Sequence, residues 1–182
     1  MTPRSTLVIV AHPDLENSRI TAQLSAAVKD LAHVTVHELS VAYPDRRVDA
    51  IREQELLRQH DTIVLQFPWH WYSVPGILKE WMDQVLTYGF AYGDGGDALQ
   101  GKRLQLVIST GAPESSYTPS GHNRFTMAEL LRPLEVTAHL CGLDLVEPLI
   151  LHSAHRVMPE GLAAHAARYR ELLSGVPAYA GD

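Results

Sequence analysis

The feature that most constrains this chain is a rhythm: short β-branched apolar runs alternate with longer stretches whose apolar residues recur at helical spacing. The runs are Leu7 through Ala11, Val34 through Leu39, Thr62 through Phe67, Leu104 through Ile108, and Leu143 through Leu151. The first, third and fourth are almost continuously apolar, the pattern of strands buried on both faces of a parallel sheet. The second alternates and belongs nearer an edge.

Helical patterns fill the intervals. Ser18 is a good N-cap, and Ile20, Leu24, Ala27, Val28 and Leu31 follow on one face. The clearest helix carries Val74, Ile77, Leu78, Trp81, Met82 and Val85 as one stripe, with Lys79, Glu80 and Asp83 opposite. Residues 49–59 make a weaker helix. Residues 126–140 make another, with Pro133 either in its first turn or kinking it, and Pro159 opens a last helix through Leu173. The order β-α-β-α-β-α-β-α-β-α predicts one α/β domain over residues 1–182, a doubly wound five-stranded parallel sheet with helices on both faces.

Composition removes other classes. A chain of 182 residues, 46% hydrophobic and 20% charged, is long enough for one continuous core. The net charge of −6 leaves no basic footprint for nucleic acid. Leu7 to Ala11 is too short to span a bilayer and meets His12-Pro13 at once, so a cytoplasmic location is the expectation. The single Cys141 excludes an internal disulfide and reads as a packing residue. Ten histidines raise the question of a metal. His33 and His37 share a strand face but stand roughly 13 Å apart at about 3.3 Å per residue, there is no HExxH, and no metal site is expected.

In an open α/β sheet, ligands bind outside the carboxyl ends of the strands. Three such ends stand out. The loop from His12 to Ser18 leads into a helix N-terminus, where free N–H groups and the Ser18 and Thr21 hydroxyls suit a phosphate; an ordinary capped loop explains it equally well. The absence of GxGxxG and GxxxxGK[ST] sets aside the common dinucleotide and nucleotide-triphosphate loops. Pro68-Trp69-His70-Trp71-Tyr72 puts aromatics just past a buried strand, where they would pack on a flat ring, on the core or on a second subunit. Thr110-Gly111-Ala112-Pro113 offers small residues for close backbone approach, with Tyr117, His122 and Asn123 in reach of the same pocket. Together they describe a flavin mononucleotide site. A Ser/His/Asp hydrolase would want a GxSxG turn, and there is none.

These residues carry a resemblance. Ala11-His12-Pro13, Tyr43-Pro44-Asp45, Gln66-Phe67-Pro68, Trp71-Tyr72-Ser73-Val74-Pro75, Leu78-Lys79-Glu80-Trp81, Gly89-Phe90-Ala91-Tyr92-Gly93, Leu99-Gln100-Gly101-Lys102 and Cys141-Gly142 make the chain similar, over nearly its whole length, to the flavodoxin-like NAD(P)H:quinone oxidoreductases. Within that group it is most similar to small stress-type reductases and the ancillary subunits of potassium-efflux systems. The resemblance implies a flavodoxin-like fold and a two-electron, ping-pong transfer of hydride from NAD(P)H through a flavin to quinone-type acceptors. It implies that His12 and Ser18, Arg19, Ile20 and Thr21 hold the phosphate side, Trp69 to Tyr72 pack on the ring, and Thr110 to Pro113 meet its pyrimidine edge. Tyr117 and His122 fall where such enzymes have a catalytic Tyr/His pair, at a spacing one residue shorter, with Asn123 the neighbouring candidate. Larger relatives use a C-terminal extension to bind FAD, so FMN is expected here, with FAD the alternative. Relatives are homodimers, and the aromatic residues Trp69, Trp71, Tyr88, Phe90 and Tyr92 around one sheet edge point the same way. Residues 88–97 would wall the substrate pocket at the subunit junction. A second reading is a flavin-binding regulatory subunit docked peripherally on a membrane antiporter; a one-electron carrier would be more acidic.

Overall fold

The computed structural model describes residues 4–174. Its strands are β1 (Thr6–Val10), β2 (Val34–Glu38), β3 (Thr62–Pro68), β4 (Arg103–Ser109), β5 (Asp144–Leu145) and β6 (Leu149–Leu151). Its helices are α1 (Arg19–Val28), α2 (Leu39–Ala42), α3 (Ala50–Gln59), α4 (Gly76–Val85), α5 (Met127–Leu130), α6 (Arg132–Leu140) and α7 (Pro159–Ser174). All strand pairs are parallel, in the order β2-β1-β3-β4, and β5 and β6 both lie on the far side of β4. The expected five sheet positions are therefore present, with the alternating run β2 at one edge. The run Leu143 through Leu151 is not one strand. Pro148 has no N–H to give the ladder, and the run breaks there into β5 and β6.

The two faces bury separate cores. Leu7, Ile9, Ile63, Leu65, Phe67, Leu104, Leu106 and Ile108 face α3, α4 and α6, where Leu57, Leu78, Trp81, Val85 and Leu134 meet them. Val8, Val10, Val64 and Val107 face α1 and α7, with Leu24, Val28, Leu162, Ala166 and Tyr169. Cys141 is buried in the first core. Pro133 sits in the first turn of α6, so residues 126–140 form two helices rather than one kinked helix, and Thr126 with Glu129 closes a capping box on α5. His33 and His37, expected on one strand face, go to opposite faces. His33 precedes β2 and its Nε2 lies 2.8 Å from Leu173 O on α7, while His37 Nε2 lies 2.9 Å from Glu53 on α3.

The order β2-β1-β3 reverses the winding direction between β1 and β3, which opens a crevice at their carboxyl ends. No helix among the described residues is long and apolar enough to cross a membrane.

Candidate functional site

At that crevice lies a cleft of about 470 Å³, walled by the loops after β1, β3, β4 and β6. Ligand pockets commonly run from roughly 300 to 1,000 Å³.

The β1–α1 loop forms one end. Asp14 N donates to His12 Nδ1 at 3.1 Å, which places the His12 hydrogen on Nε2. Burial is the largest cause lowering the His12 pKa, so the ring is a neutral donor. Ser18 has extended φ and ψ, and its Oγ accepts from Thr21 N at 3.1 Å. This leaves the Arg19 and Ile20 N–H groups at the start of α1 without an intrahelical acceptor. The position of α1 is set from below, where Gln66 on β3 donates to Thr21 O at 2.9 Å and Ser25 Oγ at 3.0 Å. Arg19 does more than lead the helix. Its Nη2 donates to Ala154 O at 3.2 Å and Val157 O at 2.9 Å, pinning the β6–α7 loop over the cleft.

The β3–α4 loop forms the opposite wall with Pro68, Trp69 and His70. Trp69 N donates to Ser109 O at 2.8 Å, its ring packs on Phe67, and its Nε1 is buried with no partner. His70 and Ser73 exchange two backbone bonds around Trp71 and Tyr72, whose φ angles are +49° and +59°. That is a primed turn made without glycine or asparagine, a strained choice. Trp71 is 93% exposed and Tyr72 half exposed, and neither lines the cleft. Nor do Trp69 and Phe90 offer open aromatic surface for a dimer contact, being 9% and 3% exposed, whereas Trp71 and Tyr88 are open.

After β4, Ser109 and Gly111 line the cleft. Thr110 is fully buried behind them, and its hydroxyl donates to Ala112 O at 2.9 Å. Ala112 is half-buried, and Pro113 is exposed at the start of a 3₁₀ turn, Glu114–Ser116. Tyr117 is buried beneath this loop. Burial raises its pKa, with the neighbouring Thr110 and Asn123 side chains acting in the opposite sense. His122 is exposed and makes no side-chain hydrogen bond to a described residue. The neighbour that turns inward is Asn123, whose Oδ1 accepts from Tyr72 Oη at 3.3 Å and whose Nδ2 is buried and unpaired.

Of the expected residues, His12, Ser18 through Thr21, Pro68, Trp69, His70 and Gly111 meet in the cleft. Thr110, Ala112, Pro113, Trp71, Tyr72 and Tyr117 stand behind or beside it, and His122 stands apart. Asn17, Ser109, Ala154 and His155 line the cleft without having been expected. The signal for the last two was available: they follow the fifth strand position, where the carboxyl-end rule applies as it does to the other strands.

A family model described as a flavodoxin-like fold matches residues 4–173. The chain is 46% identical over 168 residues to the glutathione-regulated potassium-efflux system ancillary protein KefG of Enterobacter sp. (strain 638), covering 92% of each chain. It is 40% identical to general stress protein 14 of Treponema denticola, solved in complex with FMN, with a TM-score of 0.88 over 93% of this chain and 98% of that one. An NADPH-quinone reductase from P. pentosaceus is 35% identical, with a TM-score of 0.87 over 94% and 99%.

Proposed function

The chain belongs to the flavodoxin-like family, and from that premise we propose that it is a flavin-dependent NAD(P)H:quinone oxidoreductase that binds FMN in the cleft. The observation that carries the reading is the pairing, across one cleft, of an open helix N-terminus with an aromatic loop.

The residues fit the group. The Arg19 and Ile20 N–H groups, the Ser18 and Thr21 hydroxyls and the His12 Nε2–H make a donor set for a phosphate, with the α1 dipole favouring its charge. Trp69 offers a flat apolar body and an unpaired buried N–H, suited to a ring with polar edges. Gly111 leaves room for close backbone approach beside it. Bound FMN would supply two-electron hydride chemistry that no side chain provides. The protein's part is to hold the cofactor, exclude water from its buried edge and move protons. Tyr117 is the proposed proton donor, with Asn123 rather than His122 as the side chain that meets it. The relatives' names support both halves of the reading, one solved with FMN and one described as an NADPH-quinone reductase.

The working unit in this reading is a cytoplasmic homodimer. The exposed Trp71, Tyr72, Tyr88 and Phe125 supply its apolar contact, and residues 88–97 complete the acceptor pocket. A second reading, favoured by the 46% identity to an efflux-system ancillary protein, is that the dimer also docks on a potassium-efflux antiporter. Potassium efflux from cells with and without the protein separates that role from quinone reduction.

The test of the main reading is steady-state turnover. Purified protein given NADPH or NADH and a soluble quinone should give parallel lines in double-reciprocal initial-rate plots. Absence of quinone-dependent oxidation of either nucleotide by FMN-loaded protein contradicts it.

A further inference from the structure

The β6–α7 loop crosses the cleft as a strap fastened at both ends. Its first half is anchored on β4. Leu151 of β6 lies in register with Ser109. Backbone bonds then run from Thr110 N to Leu151 O at 2.9 Å, from Ala154 N to Thr110 O at 2.9 Å, and from Ser153 N to Ala112 O at 3.1 Å. The His152 ring lies against Tyr117, centroids 5.3 Å apart. The second half turns at Ser153, whose φ is +57° and whose O accepts from Arg156 N at 2.8 Å and Val157 N at 3.0 Å. What fastens this half is Arg19, whose Nη2 donates to Ala154 O at 3.2 Å and Val157 O at 2.9 Å. At the crest, the His155 ring stands 3.4 Å from where a Cβ on Gly111 would be. The strap thus runs from α1 to the loop after β4.

The tie falls at the end of the cleft that suits a phosphate, because Arg19 is the first residue of α1 and follows the Ser18 cap. Inside, the donors are those of His12, Ser18, Thr21 and the start of the helix. Among the described residues, none that lines the cleft is a carboxylate, although the whole chain carries a net charge of −6. At the rim the charge reverses. Asn17 lines the cleft, and the Asp14 carboxylate behind it accepts from Asn17 N at 3.4 Å and Asn17 Nδ2 at 2.8 Å. Glu16, next to Asn17, is exposed. On the other flank stand the strap carbonyls that Arg19 holds. One phosphate therefore finds donors, while a second joined beyond it meets two carboxylates and a loop tied down. Like charges set against each other reject a ligand more sharply than lost contacts do.

We propose that Arg19, by tying down this strap, makes the cleft selective for a flavin monophosphate over flavin adenine dinucleotide. The inference rests on the reading of the cleft as a flavin site. FAD is FMN extended through a pyrophosphate by an adenylate, so its extension must leave past Arg19 and the strap. The cleft of about 470 Å³ also sits toward the small end of ligand pockets, which run from roughly 300 to 1,000 Å³. Arg19 acts here as a positioning residue: its guanidinium holds the loop, and the loop with the rim carboxylates turns the extension away.

Two measurements decide it. Flavin-free full-length protein is titrated with FMN and, separately, with FAD, and flavin fluorescence gives the two dissociation constants. Wild type should favour FMN by about tenfold or more. Arg19→Ala should shrink that ratio about tenfold by tightening FAD. A guanidinium that instead gripped the shared phosphate would weaken both flavins alike, so an unchanged ratio overturns the proposal, as does weaker FAD binding in the variant. The second measurement needs no flavin: trypsin cleavage after Arg156, on the strap, should be about tenfold or more faster in Arg19→Ala, because a loosened loop opens more often. Equal cleavage rates overturn the latch. Should the alanine variant fail to fold, Arg19→Met keeps the apolar stem, removes both donated bonds and should move both readouts the same way. Wild type that binds FMN and FAD equally contradicts the selectivity alone. Wild type that binds neither flavin contradicts the proposed function, and the selectivity falls with it.

Discussion

At the residue scale, the most demanding side chain is Glu53. It is 0% exposed, and its carboxylate accepts from Tyr43 Oη at 2.6 Å and Trp81 Nε1 at 2.7 Å, with His37 Nε2 2.9 Å away but poorly aligned for a hydrogen bond. Burial alone would raise its pKa; His37, Tyr43 and Trp81 together outweigh that and hold it below the usual carboxylate range. The folded-state pKa is depressed, so this contribution to stability is present above the unfolded carboxylate pKa of about 4.3 and is lost as pH falls through the folded value. Glu53→Gln presents an amide donor to the Tyr43 and Trp81 donors. It should cost about 3 kcal/mol at neutral pH, the order seen when one partner of a buried charged cluster is removed. Roughly 6–12 °C of melting temperature goes with it. A calorimetric scan showing no loss would mean the cluster is not the brace it looks like. Tyr117→Phe keeps the ring against His152 and removes only the hydroxyl. It should slow quinone reduction about ten- to a thousandfold with FMN content unchanged, and stopped-flow absorbance measures both.

At the scale of elements, the Trp71–Tyr72 turn stands out, because two bulky residues hold left-handed φ where glycine or asparagine would sit without strain. Such strain costs about 1–3 kcal/mol per residue and persists where function requires it. Trp71→Asn removes a side chain that is 93% exposed among the described residues. Folding stability should hold or rise by up to about 1 kcal/mol, while FMN retention or dimerisation weakens. A denaturant midpoint that drops, with FMN affinity intact, would assign the turn to stability. The strand ends, the Ser18 cap and the α4 stripe were all legible in the sequence, because each is decided locally by period or cap chemistry. The break at Pro148 was missed although its signal was there, a proline inside an apolar run. What periodicity could not give is which loop residues turn inward. Asn123 and not His122 turns inward because the 110–124 loop folds on its own backbone, with Asn123 N bonded to Ser116 O at 2.9 Å. No spacing rule encodes that.

For the whole molecule, the strand order places α1, the aromatic turn and the β6–α7 loop around one crevice, and Arg19 ties the first to the last across 138 residues of sequence. The sequence pointed to the crevice through the carboxyl-end rule; the contribution of β6 went unseen because the histidines after it invited only the question of a metal. Two chains of 20.2 kDa should travel together at micromolar concentration, and light scattering that finds only single chains would remove the subunit junction from the account. Cofactor binding is the claim on which everything else stands, and titration of FMN into flavin-free protein tests it most directly. Saturable quenching of flavin fluorescence is expected at one FMN per chain. The melting temperature should climb with FMN concentration, since a ligand bound only by the folded state must raise stability. Unquenched fluorescence and an unmoved melting temperature at millimolar FMN would contradict it.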